Sequence, residues 1–108
     1  MDSKLLAGML DMLILEVVSG GDSYGYAISQ TVLARSAGVF ELKEGSLYPA
    51  LHRLERQKLL TATWSEHEGR RRKYYKLTSA GKKSLAASKD EWREFSTAVN
   101  GVIGMAGS

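Results

Sequence analysis

The amino-acid sequence predicts a mainly α-helical fold with one small β-hairpin. Leucines within residues 47–54 are spaced by four and three, which places them on one face of a helix. Residues 60–64 then alternate between apolar and polar types, the period of a strand with one buried face. Gly69 marks a turn, and the basic and aromatic residues 70–76 return as a second strand. The chain is therefore expected to place a helix directly before a hairpin.

The amino-acid composition excludes several classes of function for this chain. At 108 residues, with 44% hydrophobic and 25% charged residues, the chain has room for one ordinary globular unit. It has no cysteine, which excludes a disulfide framework and thiolate metal or redox chemistry. The N-terminus has neither the basic stretch nor the small-residue cleavage pattern of a signal peptide, so a cytoplasmic location is expected.

Catalysis has little support in the sequence. The two histidines, His52 and His67, are far apart in the chain, and neither a cysteine nor a glycine-rich phosphate loop accompanies them. The triplet Glu66-His67-Glu68 could attract a divalent metal weakly, but a polar turn at a hairpin tip is the simpler interpretation. We therefore expect no enzymatic activity, no metal and no cofactor.

The first helix is predicted over residues 3–19, which are apolar nearly all round. The segment is shorter than the roughly 20 apolar residues of a membrane span and carries Asp11 and Glu16, so no membrane association is expected. A domain this small can bury one face of such a helix, and the other face then needs a second subunit. This helix, with Met9 and Leu13, is therefore expected in a homodimer interface.

A second helix is predicted after a turn at residues 20–22. Ser23 is its candidate N-cap, and the helix should run from Tyr24 to about Ala37. Gly25 lies near its start, although glycine is unfavourable in a helix. Close approach of the backbone to a neighbouring helix or to DNA would explain a glycine at this position.

The third helix carries the candidate recognition surface. Pro49 lacks an N–H, which only the first four helical residues can do without, so the helix should begin near Gly45 or Ser46. Its N-terminal tip would then present free N–H groups and partial positive charge, which suit contact with phosphate or base edges. The face opposite the leucines is polar and comprises Ser46, Pro49, His52, Arg53 and Arg56, with Tyr48 at its edge.

The hairpin holds the excess positive charge of the chain. Lys and Arg make up five of the seven residues 70–76, whereas the whole chain has 15 basic and 12 acidic residues. Without these five, the remainder has 10 basic and 12 acidic residues and is slightly acidic. By alternation, Trp64 faces inward and is predicted in the core. A helix with a polar outer face, followed by a basic hairpin, is the outline of a winged helix-turn-helix, whose helix enters the major groove while the hairpin, or wing, grips the backbone or minor groove.

A final helix is predicted from the N-cap Thr78 to about Ile103. Two rows with a spacing of seven run along it, so we expect it to pack lengthwise against another helix, most simply in a second subunit. Residues 1–78 would then form the DNA-binding domain, and residues 79–108 a C-terminal dimerisation helix with a frayed end. The two rows consist of Leu85, Trp92 and Val99, and of Ser88, Phe95 and Val102.

Four motifs cover nearly the whole chain in order. They are Leu10-Asp11-Met12-Leu13-Ile14-Leu15, Ser23-Tyr24-Gly25-Tyr26-Ala27-Ile28, the run from Glu44 to Glu55 with its Ser46-Leu47-Tyr48-Pro49, and Gly69-Arg70-Arg71-Arg72-Lys73-Tyr74-Tyr75-Lys76-Leu77-Thr78 with Gly81. Together they resemble a PadR-like transcriptional regulator of the shorter subfamily, which has one C-terminal dimerisation helix. The resemblance implies a homodimer that represses genes by occupying an inverted-repeat operator in double-stranded DNA and leaves it when an effector binds.

The resemblance also implies roles for individual residues. In some short members a tryptophan on the final helix faces its symmetry mate and flat aromatic compounds bind between the two; Trp92 stands at the matching place, which implies a planar hydrophobic ligand. The family often has a proline in the wing where this chain has Arg71, which adds charge and flexibility. The implied DNA-binding residues are Tyr24 on the second helix, Ser46, Tyr48, Pro49 and His52 or Arg53 on the third, and Arg70, Arg71, Arg72 and Lys73 on the wing; the implied effector and dimer residues are Met9, Leu13, Trp92, Phe95 and Val99.

Two other functions could use the same hairpin without specific binding to duplex DNA. One is a winged-helix protein-interaction module that holds an acidic partner without specific DNA binding. The other is a binder of single strands or RNA, against which the polar recognition helix argues, since A-form RNA does not admit a helix to its major groove.

Overall fold

A computed structural model describes residues 3–105 and shows four helices and a three-stranded antiparallel sheet. The predicted mainly α-helical fold with a β-hairpin is confirmed. The strand order is β1-β3-β2. The elements are α1 (Ser3–Ser19), β1 (Ser23–Tyr24), α2 (Gly25–Arg35), α3 (Glu44–Arg56), β2 (Leu60–His67), β3 (Arg70–Leu77) and α4 (Ser79–Ile103).

The core lies between α1, α2, α3 and the base of the sheet. The leucine stripe predicted on α3 is confirmed, because Leu47, Leu51 and Leu54 are all fully buried. They pack in one apolar cluster with α1, which contributes Ile14 and Leu15 among others. Burial of this stripe holds α3 against the body of the protein and turns its polar face outward.

The predicted N-cap of the second helix is wrong. Ser23 and Tyr24 form a short strand, β1, that pairs with Tyr75 and Tyr74 of β3. Helix α2 therefore begins at Gly25, with Tyr24 in the cap position and no side-chain cap bond, and it ends at Arg35. The ring of Tyr24 meets that of Tyr74 edge-on at 5.4 Å, so pairing and aromatic contact with a distant strand decide where this helix starts.

Pro49 lies inside α3 and not in its first turn. The helix begins at Glu44, slightly earlier than predicted, so Pro49 is its sixth residue. A proline there cannot donate to the carbonyl oxygen of Gly45. Gly45 and Pro49 are both exposed, so water can reach that carbonyl, and the missing bond costs less than it would in the core.

The prediction that Trp64 belongs to the core is wrong. Alternation does place it on the inner face of β2 with Leu60 and Ala62, but burial decreases along the strand, from Leu60, which is buried, to Trp64, which is 59% exposed. Leu60 belongs to the apolar core cluster and Ala62 packs against it, whereas Trp64 lies beyond that cluster. The guanidinium of Arg71 covers the indole at 4.8 Å instead.

The turn and the final helix agree with the sequence. Glu68 and Gly69 both have positive φ, 52° and 77°, as a two-residue type I′ hairpin turn requires. The N–H of Gly81 donates to Thr78 Oγ1 at 3.0 Å, which confirms the predicted N-cap of α4. Helix α4 ends at Ile103, and residues 106–108 of the predicted frayed end lie outside the described residues.

Helix α4 packs along α1 of its own chain through its first half. Leu85 is buried in the core, and Lys89 Nζ lies 2.6 Å from Glu16 Oε1 on α1. The second half of α4 carries exposed apolar side chains. Between residues 3 and 105, the chain has no helix of the length and apolar character that crossing a membrane takes.

Candidate nucleic-acid interface

One concave surface of about 450 Å³ brings together α2, α3 and the hairpin. We call it the basic face. Its position follows from the sheet, because β1 holds the start of α2 beside the wing while the leucine stripe holds α3 across from both. Its lining residues are Tyr24, Gly25, Tyr26, Tyr48, His52, Trp64, Arg70, Arg71, Arg72, Lys73 and Tyr75.

Most of the residues implied in DNA contact by the resemblance lie together on the basic face. Tyr48 and His52 reach it from α3, one helical turn apart. Ser46 and Pro49 are exposed on the same helix but outside this concavity, and Ser46 lines a separate depression toward α1. The structure thus groups two of the helix residues directly with the wing.

Arg53 has a partner within the chain. Its guanidinium forms a hydrogen-bonded ion pair with Asp11 on α1, and both side chains are partly exposed. Arg53 therefore ties α3 to α1, while its neighbour His52 is the more open side chain of the two. Of the alternatives left open by the sequence, the structure places His52 on the basic face.

Three basic wing residues are oriented by neighbours. The guanidinium of Arg72 lies 4.3 Å from the centre of the Tyr24 ring, and that of Arg71 covers Trp64. Lys73 Nζ donates to Glu55 Oε1 of α3 at 2.9 Å. These contacts hold the three cationic groups in place.

Lys73 and Tyr75 have altered proton affinities. The hydrogen bond to Glu55 raises the pKa of the Lys73 ammonium, and partial desolvation opposes that effect. Burial raises the pKa of the Tyr75 phenol, while the nearby charge of Lys73 lowers it. Both groups therefore hold their protons more tightly in the folded chain than in the unfolded one.

We expect the free energy of unfolding to decrease at alkaline pH. Above the ordinary pKa values of 10.5 for lysine and 10.0 for tyrosine, the unfolded chain loses protons that Lys73 and Tyr75 still retain when folded. Stability is thus fully present below that range and decreases as pH rises through the folded pKa values. Urea unfolding between about pH 8 and pH 11 would measure it. Tyr75→Phe should show a shallower decrease, and an equally steep one would contradict the role of Tyr75.

Sequence reasoning missed two exposed aromatic contributors to the basic face. Tyr26 is 63% exposed beside Tyr24, and the ring of Trp64 lies under the guanidinium of Arg71. The aromatic flanks of Ser-Tyr-Gly-Tyr were a signal for Tyr26, since exposed aromatic residues near a basic run are typical of binding surfaces. Trp64 could not be found from alternation, which predicts burial.

A second candidate surface lies on α1 and α4. Met9 and Trp92 line a depression of about 710 Å³ with Phe95, together with the carboxylates Asp11 and Glu91 among others. Leu13 lines a neighbouring depression on the other side of Trp92. Trp92 is 45% and Phe95 62% exposed, and Val99 is also exposed on the same helix. Large exposed apolar side chains grouped in this way are typical of a protein–protein interface or a ligand-binding surface.

The triplet Glu66-His67-Glu68 is exposed at the end of the hairpin. Within the described residues 3–105, no three acidic, histidine or cysteine side chains are grouped closely enough to hold a metal ion.

Comparison with known proteins connects the chain to one family. The profile of the "Transcriptional regulator PadR-like family" matches residues 14–87, more than half of the chain. Uncharacterized protein X of Lysinibacillus sphaericus is 39% identical over 93 residues, 85% of each chain. A PadR family transcription regulator from Clostridium difficile R20291 is 38% identical with a TM-score of 0.78, covering 88% of this chain and 98% of that one. A PadR-like regulator from Bacillus cereus is 34% identical with a TM-score of 0.81, covering 93% and 96%.

Proposed function

The chain belongs to the PadR-like family of transcriptional regulators, and on that premise we propose that it represses transcription as a homodimer on an inverted-repeat operator. In this function the basic face recognises double-stranded DNA specifically, and a small-molecule effector releases the protein from the operator. A protein that reads chromosomal operators in this way acts in the cytoplasm.

The observation that carries DNA binding is the grouping of Tyr48 and His52 with four wing cations in one concavity. A recognition helix supplies polar side chains that can reach base edges, and cations beside it neutralise phosphates. Ser46 and Pro49 would extend the contact at the exposed N-terminal part of α3. The four cations are Arg70, Arg71, Arg72 and Lys73.

The exposed apolar surface of α4 supports the homodimer. Phe95 and Val99 would leave large apolar areas in water if the chain acted alone. We propose that this helix and the adjoining face of α1, with Met9 and Leu13, pack against a second copy. Residues 1–78 would then serve as the DNA-binding domain and 79–108 as the dimerisation helix. A twofold axis would present two α3 helices to half-sites roughly 34 Å apart.

Fluorescence anisotropy would test this function. The wild-type chain is titrated onto duplex DNA from upstream of its own gene and onto a scrambled duplex, at two salt concentrations. We expect selective binding to the native duplex at two chains per site, since specific sites are typically bound at least about 10³-fold more tightly than non-specific DNA. Equal, weak and salt-sensitive binding to both duplexes would instead favour a protein-interaction module that uses the hairpin to hold an acidic partner.

We propose that the effector is a planar hydrophobic compound that binds beside Trp92. Trp92 and Phe95 lie with ring centres 6.2 Å apart in the 710 Å³ depression, which a flat apolar molecule could enter. In a dimer, insertion between the two Trp92 rings would change the distance between the α3 helices and break their match to the half-sites.

Trp92→Ala is expected to abolish the response to such a compound while the variant still binds the operator. A flat aromatic dye that quenches Trp92 fluorescence serves as the probe, and operator binding is measured with and without it. A full response to the dye in Trp92→Ala would contradict the mechanism. Trp64→Ala is the matched control for tryptophan fluorescence, because Trp64 lies on the hairpin and not on α4.

A further inference from the structure

Gly25 leaves a space that the ring of Tyr48 occupies. A Cβ atom built on Gly25 would lie 2.8 Å from Tyr48 Cε1, 2.9 Å from its Oη and 3.0 Å from its Cζ. Carbon atoms in contact are ordinarily about 3.5–4.0 Å apart, so any other residue at position 25 would displace this ring. Gly25 is itself buried, and Tyr48 is 38% exposed on the basic face.

We propose that Gly25 is a positioning residue that seats the Tyr48 ring and so orients its hydroxyl for DNA. The inference rests on the proposed function, because Tyr48 acts on DNA only if the basic face binds DNA. It adds to that function the residue that sets the direction of a contact on the recognition helix.

The backbone at Gly25 is held in place by the sheet. The preceding residue, Tyr24, pairs with Tyr74 in the sheet, and its ring contacts both the ring of Tyr74 and the guanidinium of Arg72. The backbone at Gly25 therefore cannot move away without breaking strand pairing. The Tyr48 ring is the end of a side chain and can rotate, so an added methyl group would move the ring and leave the helices in place.

A Tyr48 ring held against Gly25 favours DNA binding in two ways. Its hydroxyl already points in one direction, so less rotamer freedom is lost when DNA binds. It also stands beside His52 and the wing cations in the same concavity, where a hydroxyl can donate to a phosphate oxygen or a base edge. A displaced ring would point elsewhere and would occupy space needed by DNA or by its neighbours.

A double-mutant cycle on the full chain tests the assignment. Gly25→Ala, Tyr48→Ala and the double variant are titrated onto the operator duplex used above, with melting temperature and dimer mass measured for each. We expect Gly25→Ala to weaken binding about 10-fold per half-site, the loss of one hydrogen bond to a charged group, and to have little further effect when it is added to Tyr48→Ala. Gln30→Ala, at an exposed position of the same helix α2 that does not line the basic face, is the control and should bind like the wild type.

Two binding results would overturn the role of Gly25. One is wild-type affinity in Gly25→Ala. The other is that Gly25→Ala weakens binding by the same factor in the wild-type chain and in the Tyr48→Ala variant, because a general disturbance of α2 would act whether or not the ring is present.

A measurement without DNA separates this inference from the proposed function. In the free protein, the α-protons of Gly25 should show NOE cross-peaks to the ring protons of Tyr48, and Gly25→Ala should shift the ring signals. Missing cross-peaks would contradict the packing of the Tyr48 ring against Gly25, whatever the result of the DNA titrations. Cross-peaks in a wild-type chain that does not select the operator would contradict the proposed function and, with it, the DNA role of the seat.

Discussion

Replacing Gly81 by alanine is expected to destabilise the fold by about 3 kcal/mol, the upper part of the range for overpacking a filled site. A Cβ atom there would overlap the carbonyl oxygen of Leu59 and lie 2.6 Å from Leu77 Cδ1. A loss of this size should lower the melting temperature by more than about 10 °C in a domain of this length.

The obstacle at Gly81 is backbone, and it is held in place. The Leu59 carbonyl oxygen accepts a hydrogen bond from Thr78 N at 3.1 Å, and the Thr78 hydroxyl donates to the adjacent Lys58 carbonyl oxygen at 2.7 Å. Moving α4 away from Leu59 would strain these bonds and the N-cap, so the overlap cannot be relieved by rotating a side chain. This situation differs from Gly25, where the neighbouring group is the end of a side chain.

Thermal unfolding followed by circular dichroism would measure the effect. Gly101→Ala on the same helix is the matched control, because its added Cβ meets no atom within 4 Å, and it should be neutral or slightly stabilising. If Gly81→Ala melted at the wild-type temperature, the close packing of α4 on Leu59 would be refuted.

Removing Arg70 and Arg71 together is expected to weaken operator binding on the order of 10²- to 10³-fold at physiological salt, since the proposed dimer would lose four phosphate contacts. The slope of log K against log[salt] should become shallower by about 3 to 4 units. Both side chains are exposed at the end of the hairpin, far along the strand from the core residue Leu77. Their removal should therefore leave the melting temperature unchanged.

The control variant removes two positive charges from α4, outside the wing. Lys82 and Lys83 are exposed at the start of α4 and do not line the basic face. Lys82→Ala with Lys83→Ala changes the net charge by the same amount as Arg70→Ala with Arg71→Ala. Anisotropy titrations over a salt series would compare the two, and equal slopes for both pairs would show that total charge and not the wing determines binding.

The bridge between Lys73 and Glu55 gives the wing a defined relation to α3. Because Lys73 pairs with Glu55 of α3, it joins the two elements of the basic face in addition to contributing positive charge to it. The basic run in the sequence does not show which of its residues pairs with α3.

The sequence by itself determined the order and type of the main elements. The leucine stripe of α3, the Gly69 turn and the Thr78 cap all depend on residues within a few positions of one another, and local spacing and local hydrogen bonds are properties that a sequence pattern contains. The family motifs likewise included Tyr48, His52 and the four wing cations that line the basic face, but they also included Ser46 and Pro49, which lie outside it.

Only the tertiary structure decided which residues meet across the fold. Tyr24 became a strand residue because its partner lies about fifty positions later, and Arg53 was drawn to Asp11, 42 positions earlier. Trp64 remained exposed because it lies beyond the apolar core cluster that Leu60 and Ala62 reach, and Gly25 acquired the Tyr48 ring as a neighbour. Periodicity indicates which face of an element is apolar, but burial and ion pairing depend on where that element ends relative to the others, which packing alone sets.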